Sequence, residues 1–486
     1  MASAQTPNIV LIQVDSMDGR AMGCMGHRSM QGVTPNLDRL AGQGVLFRNA
    51  YSNNPICCPS RASMWSGRYT HHCEGWNNYK GLSETDPTFL DQLVTEEYRA
   101  KIIGKTDYLS GRHSVRARVS AWTRSANIRR PNYRMHTPKV FECDAMRVHQ
   151  GDWELADQAT DWLKNDAVGA EPFFLYVSLG LPHPPFTTSR YYMDRIEESS
   201  VELPPLDNNP HPVLEYQRIT KNWMHGFSEE TIRLVRRIYF AMISETDALV
   251  GEILRAADEA GLADNTYFIF ISDHGEHAME HQQFYKMSPF EPSVRVPLII
   301  RGPGVHAGNH VETPVSLVDI YPTFLDMAGI NRPAGLDGYT LMPELTGKPT
   351  EHPGWVINEY HDSTCCTGSF MIREGDWKYI AYVDYQPLLF NIKNDPWEVN
   401  DLSGKLPEKV KEMDDLLRQV VDYEAVDRKV KAYDKASFRK WREERLAAGD
   451  YHELMARVFA GWADLAEGDT APWTQEDERV VEAWLR

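Results

Sequence analysis

Three short, continuously apolar runs constrain this chain more than any other feature. They are Ile9-Val10-Leu11-Ile12, ahead of Gln13-Val14-Asp15; Phe173-Phe174-Leu175-Tyr176-Val177-Ser178; and Tyr267-Phe268-Ile269-Phe270-Ile271-Ser272, ahead of Asp273. Runs of this length, rich in β-branched and aromatic side chains and closed by polar residues, read as buried strands. The rest of the first 350 residues alternates with them. Helices are predicted over 36–43, 88–96, 153–164, 228–260 and 317–328, and further strands over 45–51, 99–104 and 296–301. This alternation predicts an α/β fold with a mostly parallel central sheet sandwiched by helices. Ligands of such sheets bind beyond the C-terminal strand ends, and Asp15, Lys105, His183 and Asp273 all fall at such ends.

The pattern changes near residue 350. Residues 355–361, 368–384 and 388–392 read as a short antiparallel set, 407–423 as an amphipathic helix, and 424–486 as further helices. The expected organisation is a main domain over 1–350 and a smaller C-terminal α+β subdomain over 351–486. With 69 acidic against 51 basic residues the net charge is −18, and no basic run occurs, which argues against a nucleic-acid surface. An anionic substrate would therefore need a locally positive pocket. No apolar run is long enough to span a membrane. The start, Met1-Ala2-Ser3-Ala4-Gln5-Thr6-Pro7-Asn8, carries neither the basic nor the apolar segment of a secretory leader. Seven cysteines, an odd number that includes the adjacent pairs Cys57-Cys58 and Cys365-Cys366, form no disulfide framework. A cytoplasmic location is the expectation.

Chemistry concentrates at Cys57-Cys58-Pro59-Ser60-Arg61. Pro59 suits a first helical turn, and Ser60 to Trp65 reads as a short helix ended by Gly67. Position 57 would then lie at a helix N-terminus, where free N–H groups and the helix dipole favour an anion. Arg61, one turn on, could reach back with a planar donor fork. The bland alternative is a loop entering a helix beside a buried thiol.

The stretch from Asn53 to Arg68 resembles the signature of the formylglycine sulfatases, whose fold belongs with alkaline phosphatase. In that family the first cysteine of the motif is oxidised to Cα-formylglycine, and the hydrated aldehyde is the nucleophile. The resemblance makes Cys57 the precursor and a formylglycine-generating enzyme, which reads Pro59 and Arg61, an expected partner. It also implies one divalent metal held by Asp15, Asp273, His274 and the residue at 57. Most members place a second acid after the first; this chain has Ser16. Ca²⁺ is the usual family ion, while a histidine ligand and a missing carboxylate leave Mn²⁺ open. Gly104-Lys105-Thr106-Asp107 matches a Gly-Lys-x-His element with Asp107 in the histidine's place, which leaves open what takes the proton when the aldehyde is regenerated. Lys105, Lys286 and Arg61 are implied to hold sulfate oxygens, and His183, in Pro182-His183-Pro184, to bind sulfate or protonate the leaving oxygen. Read singly, each of these residues is an ordinary turn acid, solvated lysine or loop histidine. Their joint order carries the resemblance.

Longer segments narrow it. Trp76 to Gly81, Lys105 to Gly111, His277 to Met287, Trp377 to Tyr382 and Phe438 to Trp441 resemble the arylsulfatase K branch of that family. That branch removes 2-O-sulfate from glucuronate and shares both departures, serine beside the first metal acid and aspartate in Lys-x-Asp-Tyr. A substrate histidine of the branch falls on His211. The implied function is a sulfatase acting on a small 2-O-sulfated uronic acid saccharide or an aryl or alkyl sulfate, with His211 or His183 as general acid. Two alternatives stay open: a phosphonate monoester or phosphodiester hydrolase on the same fold, and an inactive anion-binding homologue with unmodified Cys57.

Overall fold

A seven-stranded sheet forms from β1 (Asn8–Val14), β2 (Val45–Phe47), β3 (Arg99–Gly104), β4 (Phe173–Ser178), β5 (Thr266–Ser272), β6 (Leu298–Arg301) and β7 (Asn309–Val311), in the order β7-β2-β6-β5-β1-β4-β3. Only β6 runs against its neighbours. The computed structural model describes residues 5–129, 131, 135–167, 169, 171–207, 209–223, 225–459 and 473–486. Residues 1–4 and 460–472, the second of which falls in the predicted helical tail, lie outside the described residues.

The fold is the predicted α/β sandwich, and the apolar runs explain it. β1, β4 and β5 are buried along their whole length, because helices cover both faces. Those helices are α1 (Pro35–Gln43), α2 (Cys57–Ser66), α3 (Phe89–Thr95), α5 (Gln150–Asn165), α7 (Glu229–Glu259) and α8 (Ile320–Ala328), while α4 (Val115–Trp122) and α6 (Pro212–Thr220) pack away from the sheet, in the cores of the tail and of the C-terminal meander. Alternate strand residues separate into two cores. Val10, Ile12, Val14, Phe268 and Phe270 pack with Leu37 of α1, Trp153 of α5 and Ile243 of α7. Ile9, Leu11, Tyr267, Ile269 and Ile271 pack with Trp65 of α2, Phe89 of α3 and Phe324 of α8.

Three predicted elements differ in detail. The single strand expected over 45–51 divides: β2 belongs to the large sheet, while Ala50–Tyr51 pairs with Arg295–Val296 and Val315–Ser316 in a small second sheet. The strand expected over 296–301 divides likewise at Pro297, which has no N–H to continue a ladder. The helix expected from Ser60 starts three residues earlier, at Cys57, with Ile56 as its N-cap.

Beyond 350, β8 (Trp355–Tyr360), β9 (Ser369–Glu374), β10 (Trp377–Tyr382) and β11 (Leu388–Asn391) form an antiparallel meander. One face packs Ile357, Ile372 and Leu389 against Met413 and Leu417 of α9 (Pro407–Val420). The other face packs Val356, Met371 and Phe390 against Tyr51, Ile56 and Phe290. The meander thus abuts the segment that leads into α2. The tail helices α10 (Tyr423–Ala448), α11 (Tyr451–Phe459) and α12 (Gln475–Leu485) cover α4, with Phe438, Trp441 and Met455 against Val119 and Trp122. A buried ion pair, Arg124 Nε to Asp434 Oδ2 at 3.1 Å, fastens the same contact.

Candidate active site

β1 and β5 are parallel neighbours with Val14 opposite Ser272, so the residues that follow them, Asp15 and Asp273-His274, emerge side by side. The turn after β5 requires glycine, since a Cβ on Gly275 would lie 2.0 Å from the Pro292 carbonyl oxygen. The N-terminus of α2 completes the group. Cys57 Sγ lies 3.2 Å from His274 Nε2 and 3.9 Å from Asp15 Oδ1. His274 Nε2 is 3.6 Å from both Asp15 Oδ1 and Asp273 Oδ1. The potential ligand atoms of Asp15, Cys57, Asp273 and His274 all lie within 4.8 Å of one another, and all four residues are buried.

This donor set fits a divalent cation. Two carboxylates supply charge, and the imidazole is held in the ligating tautomer: His274 Nδ1 donates to the Gly275 carbonyl at 3.0 Å, which leaves the Nε2 lone pair toward the other ligands. Ser16, where the family's usual second acid is missing, takes a left-handed backbone (φ 66°), donates its N–H to Asp273 Oδ1 and its hydroxyl to Asp15 Oδ1. It orients ligands without being one of the four.

Arg61 stands behind this group rather than in front of it. It is fully buried; Nε donates to Asp273 Oδ2 at 2.8 Å, Nη2 to Asp15 Oδ2 at 3.3 Å, and Nη1 to the Lys105 carbonyl, Tyr176 Oη and Ser178 Oγ. The expectation that Arg61 grips sulfate is therefore corrected. With no exposed surface, its guanidinium is committed to holding the two metal-site carboxylates against the ends of β3 and β4.

The electrostatics separate two adjacent thiols. Burial and Asp15 push the Cys57 thiol up, but Lys105, Lys286 and His274 outweigh them and hold it well below its ordinary value. Cys58 is pushed well above by burial, Asp107 and Cys57. Burial likewise opposes ionisation of Asp15, yet Lys105, His183, His274 and Arg61 keep it well below the usual carboxylate range. An anion is favoured at 57 and disfavoured next to it.

In front of Cys57 opens a cavity of about 320 Å³. Lys105, Lys286, Arg116, His113, His136 and His183 line it together with Asn78 and Cys57, and no aspartate or glutamate is among its described lining residues. Lys105 Nζ bridges Asp15 Oδ2 at 3.0 Å and Asp107 Oδ2 at 3.1 Å. Asp107 in turn receives His113 Nε2 at 2.8 Å. His183 donates Nδ1–H to the Pro184 carbonyl, so its Nε2 accepts from Lys286 Nζ at 2.6 Å.

The structure does not bring His211 to this cavity. His211 caps α6, accepting Val213 N–H on Nδ1 at 3.3 Å and donating Nε2–H to the Gln386 carbonyl at 2.7 Å. Both ring nitrogens are engaged there, beside Tyr382 and Tyr385, and burial lowers its pKa. Its His-Pro step is that of a helix N-cap followed by proline at N1. Conversely, His113, Arg116 and His136 were not singled out from the sequence. They belong to the stretch between β3 and β4, His113 and His136 in its irregular parts and Arg116 in the short helix α4, where no motif marks which side chains turn inward.

The Sulfatase family profile matches residues 7–330, and the profile of the N-sulphoglucosamine sulphohydrolase C-terminal region matches residues 279–425. Arylsulfatase K of Bos taurus is 41% identical, over 99% of this chain and 92% of its own length. Arylsulfatase K of Homo sapiens is 40% identical, over 100% of this chain and 94% of its own length. Among solved structures, the phosphonate monoester hydrolase of Agrobacterium radiobacter superposes with a TM-score of 0.70 at 24% identity, covering 85% of this chain and 95% of its own. A 2-O GAG sulfatase superposes with a TM-score of 0.68 at 24% identity, covering 90% and 94%. At that identity, the superpositions speak to fold.

Proposed function

The chain belongs to the sulfatase family of sulfuric ester hydrolases, and from that premise we propose that it cleaves the 2-O-sulfate of a small uronic acid saccharide using formylglycine made from Cys57. One observation carries this reading: the residue-57 site opens into a cavity lined by Lys105, Lys286, Arg116 and three histidines, with no acid among its described lining residues, in a protein of net charge −18. A lining of that kind suits a substrate with two neighbouring anionic groups, a sulfate and a carboxylate. Near-full-length likeness to arylsulfatase K supports the same substrate class.

The chain's own residues divide the work. Asp15, Asp273, His274 and residue 57 would hold the ion, which we take to be Ca²⁺ with Mn²⁺ as the alternative. When present, the hydrated aldehyde supplies the attacking oxygen and the ion lowers its pKa. Lys105 and Lys286 neutralise charge on the sulfate oxygens as it develops. His183 orients Lys286 through the 2.6 Å contact. Arg61 keeps both metal-site carboxylates in register. Maturation requires a formylglycine-generating enzyme. Seven unpaired cysteines support a reducing compartment such as the cytoplasm.

Mass analysis of the Cys57 peptide, with kcat/KM for a 2-O-sulfouronide, 4-nitrophenyl sulfate and a phosphonate monoester, tests the reading. Aldehyde at 57 and a clear preference for the sulfouronide are expected. Preference for the phosphonate would reassign the reaction. An unmodified Cys57 in fully active protein would remove the nucleophile.

A further inference from the structure

Cleaving a sulfate from a sugar hydroxyl leaves an alkoxide, a poor leaving group unless it is protonated as the bond breaks. Resting on the sulfatase reading above, we infer that His113, held by Asp107, is the group that delivers this proton. His113 lines the cavity with Cys57, and 22% of its side chain is exposed there. Its Nε2 lies 2.8 Å from Asp107 Oδ1; a carboxylate only accepts, so Nε2 carries the hydrogen and Nδ1 is the nitrogen left for a substrate.

Asp107 is built to hold that ring. It is 7% exposed, sits in a left-handed backbone (φ 47°), and its second oxygen meets Lys105 Nζ at 3.1 Å. Lys105 continues to Asp15 at 3.0 Å, so the imidazole is anchored to the framework that positions residue 57. An imidazole aimed by a buried carboxylate toward a nucleophile's cavity is the arrangement other hydrolases use for proton transfer. The two histidines that the sequence put forward for this role are less suited. His183 has Nδ1 on the Pro184 carbonyl and Nε2 on Lys286, and His211 is turned to the Gln386 carbonyl.

Burial opposes protonation of His113, but the hydrogen bond and charge of Asp107 outweigh it and raise the pKa, aided by Cys57 and opposed by Lys105. Arg116, from the first turn of α4, shares the cavity wall, and Asp362 also feels the His113 charge. In the step, the nucleophile oxygen bonds to sulfur as the sulfur–sugar oxygen bond breaks. The breaking bond's electron pair goes to the sugar oxygen, which takes the Nδ1 proton. His113 is left neutral, with Nε2–H still on Asp107.

The test compares wild type, His113→Ala and Asp107→Asn on a 2-O-sulfouronide and on 4-nitrophenyl sulfate, whose phenolate leaves without help. His113→Ala should lower kcat/KM for the sulfouronide by on the order of 10² or more, and far less for the aryl sulfate. A general acid works only below its pKa, and Asp107→Asn removes the charge that raises it. The alkaline fall of sulfouronide kcat/KM should therefore move to lower pH in Asp107→Asn, and so should the His113 imidazole midpoint followed by NMR. Thermal melts check that each variant folds, and if His113→Ala melts early, His113→Gln replaces it. Equal losses on both substrates, or an unmoved alkaline limb, would overturn the assignment while leaving the sulfatase standing. Wild-type protein that releases sulfate from neither substrate would take the sulfatase reading down and this assignment with it.

Discussion

Cys57 and Cys58 share a peptide bond and opposite surroundings. Lys105, Lys286 and His274 face the first, whereas the second donates its N–H to nothing charged and is crowded by Asp107. Cys57→Ala should abolish turnover, and Cys58→Ala should retain most of it; equal loss from both would sink the role given to residue 57. Arg61 invites a different test, because on the proposed function its substitution would also disturb maturation. Arg61→Met leaves Asp273 and Asp15 buried without their shared cation, which costs about 3–5 kcal/mol when one partner of a buried pair is removed. Urea unfolding reads that loss independently of formylglycine. A variant as stable as wild type would mean that the guanidinium is not what holds the carboxylates.

At the scale of elements, β8 is tied to the turn of helix at Thr70–Cys73 by Glu359. Its carboxylate meets His71 Nδ1 at 2.5 Å and His361 Nε2 at 3.4 Å. Burial alone would raise the Glu359 pKa, but His71 and His361 bring it down to about 2, below its ordinary 4.5. Burial lowers and Glu359 more strongly raises that of His71, above 6.5. A lowered carboxylate contributes stability above pH 4.5 that is lost as pH falls toward 2, and a raised histidine contributes below pH 6.5 what is lost at higher pH. Both contributions are complete between those values. Glu359→Gln should therefore destabilise by about 2–4 kcal/mol near pH 5.5. Urea melts should show the gap to wild type closing below pH 4.5. A gap that does not change with pH would mean the pair is not ionic.

Across the whole molecule, an acidic body surrounds a cavity with no acid among its described lining residues. Salt screens the body's repulsion and the cavity's attraction alike, and a substrate seated beside Lys105 and Lys286 lies closest to the second. Raising salt from about 0.05 M to about 0.5 M should raise KM for a sulfated saccharide several-fold. A KM indifferent to salt would remove electrostatic capture from the account. Asp273→Ala should also lose the bound ion by elemental analysis, since one of two carboxylates goes. Stoichiometric metal in that variant would overturn the ligand set.

The sequence by itself determined what is local. Continuous apolar runs specify buried strands, polar residues close them, and Pro59 and Gly67 mark a helix, although its first residue, Cys57, lies three before the expected start. Asp15, Cys57, Asp273 and His274 could be named without coordinates because the order of their motifs resembles that of the formylglycine sulfatases, and the parallel pairing of β1 and β5 is what then sets Asp15 beside Asp273. Tertiary structure alone decided what depends on where long loops return. Position 61 permits an arginine that reaches forward to substrate or backward to carboxylates, and only the packed ends of β3 and β4 choose backward. His211 and His113 are both loop histidines beside turn residues. One is consumed by a helix cap and the Gln386 carbonyl, and the other is drawn into the cavity by Asp107. Neither outcome has a period or a spacing, because each is set by contacts between segments that the chain order keeps apart.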